Sequence, residues 1–339
     1  MKCITKYKIP NKIIEKAFDI AGIGEIFEIK EISDGWYNSV FSVTTKNGLK
    51  YVLKVAPKNE ARILTYEQNI MAAELDFYNI VGRNSDISIP KIYFSDFSCN
   101  IIPSPYFIME FLDGIRLDKA KLTKCQKNRA LKEKAKILVK LHKIKGEGFG
   151  YTQNKLFDNW QGAFMSMVEN LIYDAAYFGK KNKVGKKLLH YIKKFSFTLK
   201  DVPCSLVNFD LHNLNLFCKT DGLSLNLSLL DLERGFYGDP IGDFVTPEIV
   251  NSIHKKKLFF EYNNQLEHKI ELGKNEKIRF HLMSLYLACI MYTERFSRFK
   301  GFLKFFNPVY IAGTLAYKFL AIKSISFLKR TTATPPDML

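Results

Sequence analysis

Short apolar runs typical of β-strands fill the first third of the chain. One run covers residues 26–32, and a second, rich in β-branched and aromatic side chains, covers residues 40–45. The pair Asn47-Gly48 that follows predicts a tight turn, because both residue types tolerate positive φ angles. Residues 51–55 have the pattern of the returning strand, so the sequence predicts an antiparallel hairpin here.

Lys54 is an unusual residue within the third of these strands. Strict alternation places it on the same face as Val52, so a charged side chain points the same way as an apolar one. Apolar side chains then recur at helical spacing over residues 64–81, and residues 106–111 predict another strand that is apolar except for Glu110. The first third therefore predicts a sheet with one principal helix.

The rest of the chain is mainly helical in pattern. Apolar stripes predict long helices over residues 123–145 and 158–178, and helices again from about residue 244 onward. A hairpin interrupts them, with one strand at 214–218, a turn at Asp221-Gly222, and alternating leucines on the return.

Together these elements predict an α+β fold of two lobes. We expect residues 1–112 to form a small lobe, an antiparallel sheet with one principal helix. Residues 113–339 would form the larger, mainly helical lobe. A chain of 339 residues with 47% hydrophobic side chains can bury cores of this size.

Charge narrows the possible partners only slightly. The chain has 51 Lys and Arg against 34 Asp and Glu, a formal charge of +17. Such a balance can attract nucleic acid, anionic membranes or small anions such as nucleoside triphosphates. The lysines are widely spread and no known nucleic-acid-binding motif surrounds them, so we expect a solvated basic surface and no nucleic-acid partner.

The sequence also allows a prediction of where the protein is located. The first eight residues lack a following apolar run, so no signal peptide is predicted. The apolar stretch around residues 282–292 is too short to span a bilayer. No two of the six cysteines have a CxxC spacing, which favours reduced thiols. We therefore expect a cytoplasmic protein without a membrane partner, and the sequence leaves its oligomeric state open.

Two carboxylates and an amide carry the candidate chemistry. Asp210 precedes Asn215 by five residues in a loop that leads into the predicted hairpin, and Asp231 ends the returning strand. Because the second strand returns beside the first, Asp231 should lie close to Asn215. Carboxylate and amide oxygens suit Mg²⁺ better than zinc. Asp210 is then free to accept a proton from a hydroxyl group.

This arrangement has the parts that phosphoryl transfer needs. In kinases a loop Asp is the base, an Asn five residues later and an Asp after the hairpin hold metal, and a strand Lys pairs with the phosphates and a helix acid. Lys54 suits the Lys role. Glu74 could hold Lys54 by an ion pair, and Glu67, two turns earlier on the same helix face, is the competitor.

Several motifs in the expected order resemble one family. The chain is similar to the aminoglycoside phosphotransferase and choline kinase group, small-molecule kinases with a protein-kinase-like fold. The matching segments are the loop Asp210-Leu211-His212-x-x-Asn215, Leu230-Asp231-Leu232-Glu233, Gly238-Asp239-Pro240-x-x-Asp243, the nucleotide loop Gly35–Phe41, the strand Val52–Val55, the helix segment Met71–Tyr78 and the interlobe hinge Ile108–Leu112.

The resemblance implies a nucleotide, ATP or GTP, in the cleft between the lobes. Ser39 of the nucleotide loop, Lys54 and Glu74 would contribute to its site, and backbone groups near Glu110 and Leu112 would contact the adenine.

The resemblance also implies the roles of the reacting groups. Asp210 would be the catalytic base, while Asn215 and Asp231 would bind Mg²⁺. The acceptor would be a small molecule with a hydroxyl group, such as an aminoglycoside, a sugar or an amino alcohol. The acidic residues of the C-terminal part form no obvious basin for a cationic acceptor.

Two departures from the family pattern keep a second function open. The family often has His-Gly-Asp where this chain has Asn208-Phe209-Asp210, and the nucleotide loop contains only Gly35. A catalytically weak kinase-like binding or scaffold protein is therefore the alternative. A nucleic-acid binder would rest on the charge alone.

Overall fold

The computed structural model describes residues 8–32, 37–58, 63–221, 224–299 and 306–333. Its helices are α1 (Asn11–Ile20), α2 (Ile70–Asn84), α3 (Lys124–Lys143), α4 (Trp160–Tyr177), α5 (Lys183–Lys194), α6 (Lys257–Asn263), α7 (Lys274–Arg298) and α8 (Pro308–Ala333). Its strands are β1 (Ile26–Ile32), β2 (Ser39–Thr45), β3 (Lys50–Val55), β4 (Ile92–Asp96), β5 (Tyr106–Glu110), β6 (Ile115–Arg116), β7 (Ser205–Val207), β8 (Leu216–Asp221), β9 (Ser224–Leu229) and β10 (Phe236–Gly238).

The small lobe is built on a five-stranded antiparallel sheet in the order β1-β2-β3-β5-β4. The hairpin between β2 and β3 closes as the sequence predicts. The N–H of Thr45 donates to the carbonyl of Leu49 at 2.9 Å, and Gly48 has a φ of 83°. Glycine suits that position because it adopts positive φ without steric cost.

Helices cover both faces of this sheet. Leu53 lies in a core with Phe18 of α1, whose ring meets Tyr51 edge-on at 6.0 Å. Val52 lies in the other core, where Tyr78 of α2 meets a sheet phenylalanine edge-on. The alternation expected for β3 is therefore observed, while α1 is a helix that the sequence analysis did not single out.

The helix expected over residues 64–81 begins later than its periodicity suggests. Thr65–Glu67 forms a 3₁₀ turn, Asn69 adopts a left-handed conformation with φ 54°, and α2 starts at Ile70. Asp174 of α4 accepts bonds from the backbone and hydroxyl of Thr65 at 2.9 and 2.7 Å. This contact from a distant helix holds the 3₁₀ turn apart from α2.

The large lobe combines helices with two small sheets. The predicted hairpin is present as β8 and β9, with β6 added at the edge, and β7 pairs with β10. The first strand of the hairpin begins two residues later than predicted, because Asn213–Asn215 forms a 3₁₀ turn, and Asp221 still belongs to that strand. Gly222 of the expected turn lies outside the described residues, as do Gly35 and Trp36 of the nucleotide loop. Trp160 of α4 stacks on Phe236 in a continuous aromatic core that reaches Phe209, next to Asp210.

The C-terminal helices α7 and α8 pack against each other. His281 of α7 hydrogen bonds to the Ser324 hydroxyl at 3.1 Å and stacks on Phe327 at 4.1 Å. Within the described ranges, one helix has the length and apolar composition of a membrane span, α8 over Pro308–Thr332. The apolar stretch 282–292, predicted to be too short for a span, lies within α7, where residues 282–290 are buried. A single helix of this kind is weak support for a span, since core helices of globular proteins have the same properties.

Candidate active site

Lys54 lies at the centre of the cleft between the lobes. Its Nζ donates to both carboxylate oxygens of Glu74 at 2.7 and 2.8 Å, to Asp231 Oδ1 at 3.1 Å and to Glu233 Oε2 at 3.5 Å. The strand therefore points this lysine toward α2 and toward the end of the large-lobe hairpin. Of the two helix acids considered from the sequence, the structure pairs Glu74 with Lys54, whereas Glu67 pairs with Arg298.

The surrounding carboxylates keep Lys54 charged. Burial alone would lower its pKa, but Asp231, Glu74 and Glu233 outweigh burial and hold the pKa well above its usual value. Three acids share this single ammonium group. Burial raises the pKa of Glu74 to about 8 and that of Glu233 to about 7, and repulsion from the neighbouring acids acts in the same direction. The cleft thus holds acids whose ionised form a bound cation would stabilise.

The predicted catalytic loop, residues 208–215, is held by Asp243. This buried carboxylate accepts the backbone N–H groups of Asn208 and Phe209 at 3.1 and 2.6 Å, and it bonds to His142 at 2.9 Å. Asn208 Oδ1 in turn accepts the N–H of Asp210 at 3.0 Å. The asparagine that replaces the family's usual histidine therefore supports the loop by a hydrogen bond.

Phe209 occupies a position that normally favours glycine. Its φ is 60°, in the left-handed region, which costs a residue with a Cβ roughly 1–2 kcal/mol. Its buried ring packs on Phe236 at 5.5 Å and on Tyr286 at 5.7 Å. This aromatic packing offsets the backbone strain, so the loop keeps its shape without the family's usual glycine.

Asp210 faces positive partners. Burial would raise its pKa, but the charge of Arg234 and the hydrogen bond with His212 outweigh burial and lower it. The Oδ2 atom lies 3.8 Å from Arg234 Nε, and Oδ1 lies 3.2 Å from His212 Nε2. Asn215 Nδ2 donates to the backbone carbonyl of Asp210 at 3.0 Å. Asp210 is therefore a carboxylate at neutral pH.

The hairpin carries Asp231 back to Asn215 as the sequence reasoning requires. The N–H of Leu230 donates to the carbonyl of Asn215 at 2.9 Å. The following residue, Asp231, turns into the cleft with a φ of 62°, and its N–H donates to the Tyr78 hydroxyl at 2.9 Å. A tyrosine of the small lobe thus fixes the backbone of a large-lobe carboxylate.

Carboxylates at this end of the cleft fit a hard divalent cation. Oxygens of Glu74, Asp231 and Glu233 lie within 4.8 Å of one another, and the amide of Asn215 is fixed beside Asp210. This donor set consists of oxygens alone, which suits Mg²⁺.

One cavity of about 330 Å³ joins several of these groups. It is lined by Lys54, Asp210, Asp231 and Glu233, among others. Ser39 is buried beside this cavity without lining it, whereas its neighbours Asn38 and Val40 do line it. Asn38 also donates to Glu233 at 3.0 Å, which connects the nucleotide-loop end of β2 to the large lobe.

The two hinge residues lie at the end of β5, an inner strand of the sheet, and just beyond it. Glu110 ends β5, where its carboxylate and its N–H both bond to the backbone of Lys91. Leu112 follows in the segment that leaves the sheet, and neither residue lines the cavity.

The opposite wall of the cavity contains arginines that the sequence reasoning missed. Arg234 bonds to Glu294 of α7 at 2.7 Å, and Glu294 also accepts the Tyr66 hydroxyl at 2.5 Å. Arg298 pairs with Glu67 and lies over the Tyr37 ring at 4.6 Å. The position of Arg234 directly after Glu233 could have indicated a site residue. No local sequence pattern, however, predicts its pairing with a residue of α7.

Comparison with known proteins assigns this chain to a family. Among curated proteins, none matches the sequence significantly. A sequence profile of the phosphotransferase enzyme family matches residues 28–246, more than half of the chain. The chain belongs to this family. It is therefore a phosphotransferase that acts on a hydroxyl acceptor, and the resemblance stated from the motifs is confirmed.

Solved structures agree with the family's fold. A protein assigned as a fructosamine-3-kinase from Thermobifida fusca has a TM-score of 0.67 at 15% identity, covering 95% of this chain and all of its own. One assigned as an aminoglycoside phosphotransferase from Ralstonia eutropha has a TM-score of 0.65 at 14% identity, covering 95% and 99%. The aminoglycoside phosphotransferase APH(2″)-IIa, in a ternary complex with streptomycin and ATP, has a TM-score of 0.55 at 16% identity, covering 96% and 97%. The predicted two-lobe α+β fold of the protein-kinase type is confirmed.

Proposed function

We propose that this phosphotransferase transfers the γ-phosphoryl group of ATP or GTP to a hydroxyl group of a small molecule. The observation that carries the proposal is the meeting of Lys54, Asp210 and Asp231 in one cavity between the lobes. A lysine and acids that could bind metal at one end and an ionised carboxylate at the other match the division of labour in phosphoryl transfer.

Each reacting group has a specific task in this proposal. Asp210, ionised and placed between Arg234 and His212, orients the acceptor hydroxyl and takes its proton. Lys54, held by Glu74, donates to phosphate oxygens. Asn215 and Asp231 would hold Mg²⁺, which neutralises charge on the phosphates when bound.

The nucleotide would enter from the side of the small lobe, residues 1–112. Ser39 belongs to the strand that borders the phosphates, and backbone groups at Glu110 and Leu112 would bind the base. We place the reaction in the cytoplasm. Residues 113–339 would supply the base and the acceptor site.

The acceptor would occupy the wall formed by Arg234, Glu294 and Arg298, beside Asp210. The related structures carry names of aminoglycoside and fructosamine kinases, so an aminoglycoside, a sugar derivative or an amino alcohol is the proposed class. This wall mixes both charges, which favours an acceptor with hydroxyl groups over one that is purely cationic.

A turnover assay with a panel of such acceptors tests the proposal. We expect Mg²⁺-dependent release of ADP or GDP with at least one acceptor, and its loss in Asp210→Asn. Asp221→Asn, a change at an exposed hairpin position, is the matched control. Nucleotide binding without turnover for any acceptor would instead support a scaffold function.

A further inference from the structure

A second cavity lies against the catalytic loop and shares no lining residue with the first. Its volume is about 690 Å³, and residues 211–214 of the catalytic loop form one wall. The other walls come from α3, from the segment after β6 and from the segment that leads into α6. A cavity of this size is in the range of sites that hold small molecules.

Lys134 of α3 places a buried amine in this cavity. The residue is only 8% exposed, and its Nζ donates to Asn213 Oδ1 at 2.9 Å. Burial lowers the pKa of Lys134 to about 8, against the opposing charge of Glu248. An ammonium group has three donors, and within the described residues this amine has one hydrogen bond. Its remaining donors are available to an anion.

Thr246 adds a second polar group without a partner. The residue is 5% exposed and lines the cavity, and its hydroxyl has no hydrogen-bond partner in the described part of the chain. A buried hydroxyl without a partner is unfavourable, and a ligand oxygen would satisfy it. This observation is independent of the lysine and favours a ligand that bears oxygen.

The charge of the cavity favours an anion. Of the two acids in its lining, Asp118 pairs with Arg116 at 2.6 Å, and Glu248 keeps its charge while it accepts the backbone N–H of Lys257 at 3.0 Å. Three lysines line the same space: Lys127, Lys134 and Lys257.

Much of the remaining wall is apolar. The side chains that form it are Leu117, Leu122, Leu131, Leu211, Pro247 and Leu258. The cavity therefore joins basic and hydroxyl groups to a surface that excludes water, so a suitable ligand has one charged group on an apolar body.

We propose that this cavity binds a small molecule with an anionic head group and an apolar body. The head group pairs with Lys134 and accepts a hydrogen bond from Thr246, while the apolar body contacts the leucines. Because Lys134 also bonds to Asn213, the ligand contacts the catalytic loop at residues that do not line the first cavity.

Titration calorimetry with four six-carbon probes tests this site without reference to turnover. We expect hexanoate or hexyl phosphate to bind, hexanol to bind far more weakly and hexylammonium not to bind. The two anions distinguish a carboxylate from a phosphate head group. Lys134→Met should weaken anion binding at least about tenfold, because it removes a charge-assisted hydrogen bond.

Two further variants keep the test decisive if Lys134→Met does not fold. Thr246→Val conserves shape and should weaken binding severalfold, while Ala120→Phe fills the cavity and should abolish it. Lys136→Met, on the exposed face of α3, is the matched control and should leave binding unchanged. Failure of both anions to bind, equal binding of hexylammonium, or full affinity in the filled variant would overturn the proposal.

Discussion

The active-site cleft and the joint between α7 and α8 both bury ionisable side chains, with opposite results. In the cleft, three carboxylates face Lys54 and hold its pKa well above its usual value. In the joint, His281 meets a serine hydroxyl and an aromatic ring, and burial, with the nearby Lys323 and Arg330, lowers its pKa to about 3. The depth of burial is similar, so the partners decide whether a buried group keeps its charge.

This contrast has a functional meaning. The cleft maintains charge where phosphates and metal would be handled, whereas the joint maintains neutrality where two long helices must pack. Substitutions in the cleft and substitutions in the joint should therefore change different properties of the protein.

The largest effect should come from Asp210→Asn, which removes a charge that serves chemistry. We expect turnover to fall about 1,000-fold, the usual contribution of a general base, because the amide cannot take the hydroxyl proton. The free energy of unfolding should change little, since Arg234 retains Glu294. Steady-state kinetics and urea unfolding measure the two quantities. Retention of a tenth or more of the wild-type rate would remove Asp210 from the role of base.

The second effect should come from Lys54→Met, which removes the cation that three acids share. We expect a loss of about 3 kcal/mol in the free energy of unfolding at pH 8, typical of breaking a buried pair. The pKa values of Glu74 and Glu233 are raised, so these acids gain protons between pH 8 and pH 6. Protonation relieves the repulsion between the acids, so the loss of unfolding free energy should be smaller at pH 6.

Urea unfolding at both pH values measures this difference. The control is Lys46→Met, which breaks an exposed pair with Glu25 and should cost less than about 1 kcal/mol. An equal loss at pH 6 and pH 8 would contradict our account of the cleft charges.

The third effect concerns the stability of the joint between α7 and α8 at low pH. His281 has a folded pKa near 3, so the unfolded chain, with a pKa near 6.5, binds the additional proton as pH falls. Stability should therefore be lost below about pH 6.5, by about 2 kcal/mol at pH 5 from this group alone. The variant His281→Gln should show a shallower decline between pH 7 and pH 5. The exposed His268→Gln is the comparison, and identical slopes for the two variants would disprove the role of His281.

The smallest effect should come from Tyr78→Phe, which perturbs the cleft without changing its charge. The N–H of Asp231 loses its acceptor, which should cost about 1 kcal/mol. Thermal unfolding measures this cost, with the exposed Tyr93→Phe as the matched control. A larger effect than that of Lys54→Met would reverse the order proposed here.

The sequence predicted elements and motifs whose signals are local. Residues 26–32 form β1 with the expected bounds, and the Asn47-Gly48 turn is where expected, because alternation and turn chemistry are properties of neighbouring residues. The fold and family followed from motifs in the right order. Whether Ser39, Glu110 and Leu112 contact nucleotide stays a prediction.

Features that depend on distant contacts were not predictable. The 3₁₀ turn before α2 depends on Asp174, more than a hundred positions away. The pairing of Arg298 with Glu67 joins α7 to the small lobe, and no periodicity encodes such a contact. The left-handed Phe209 was recognised only as a departure from the family, because its support comes from Tyr286.

That last contact has a consequence for biosynthesis. The ring of Phe209 rests on Tyr286 of α7, so the loop that carries Asp210 is braced by a helix translated some seventy residues later. A nascent chain released before α7 would contain every recognisable catalytic motif and still lack the support that sets its base. We expect such truncated products to be inactive, because the loop lacks its support until α7 has been made.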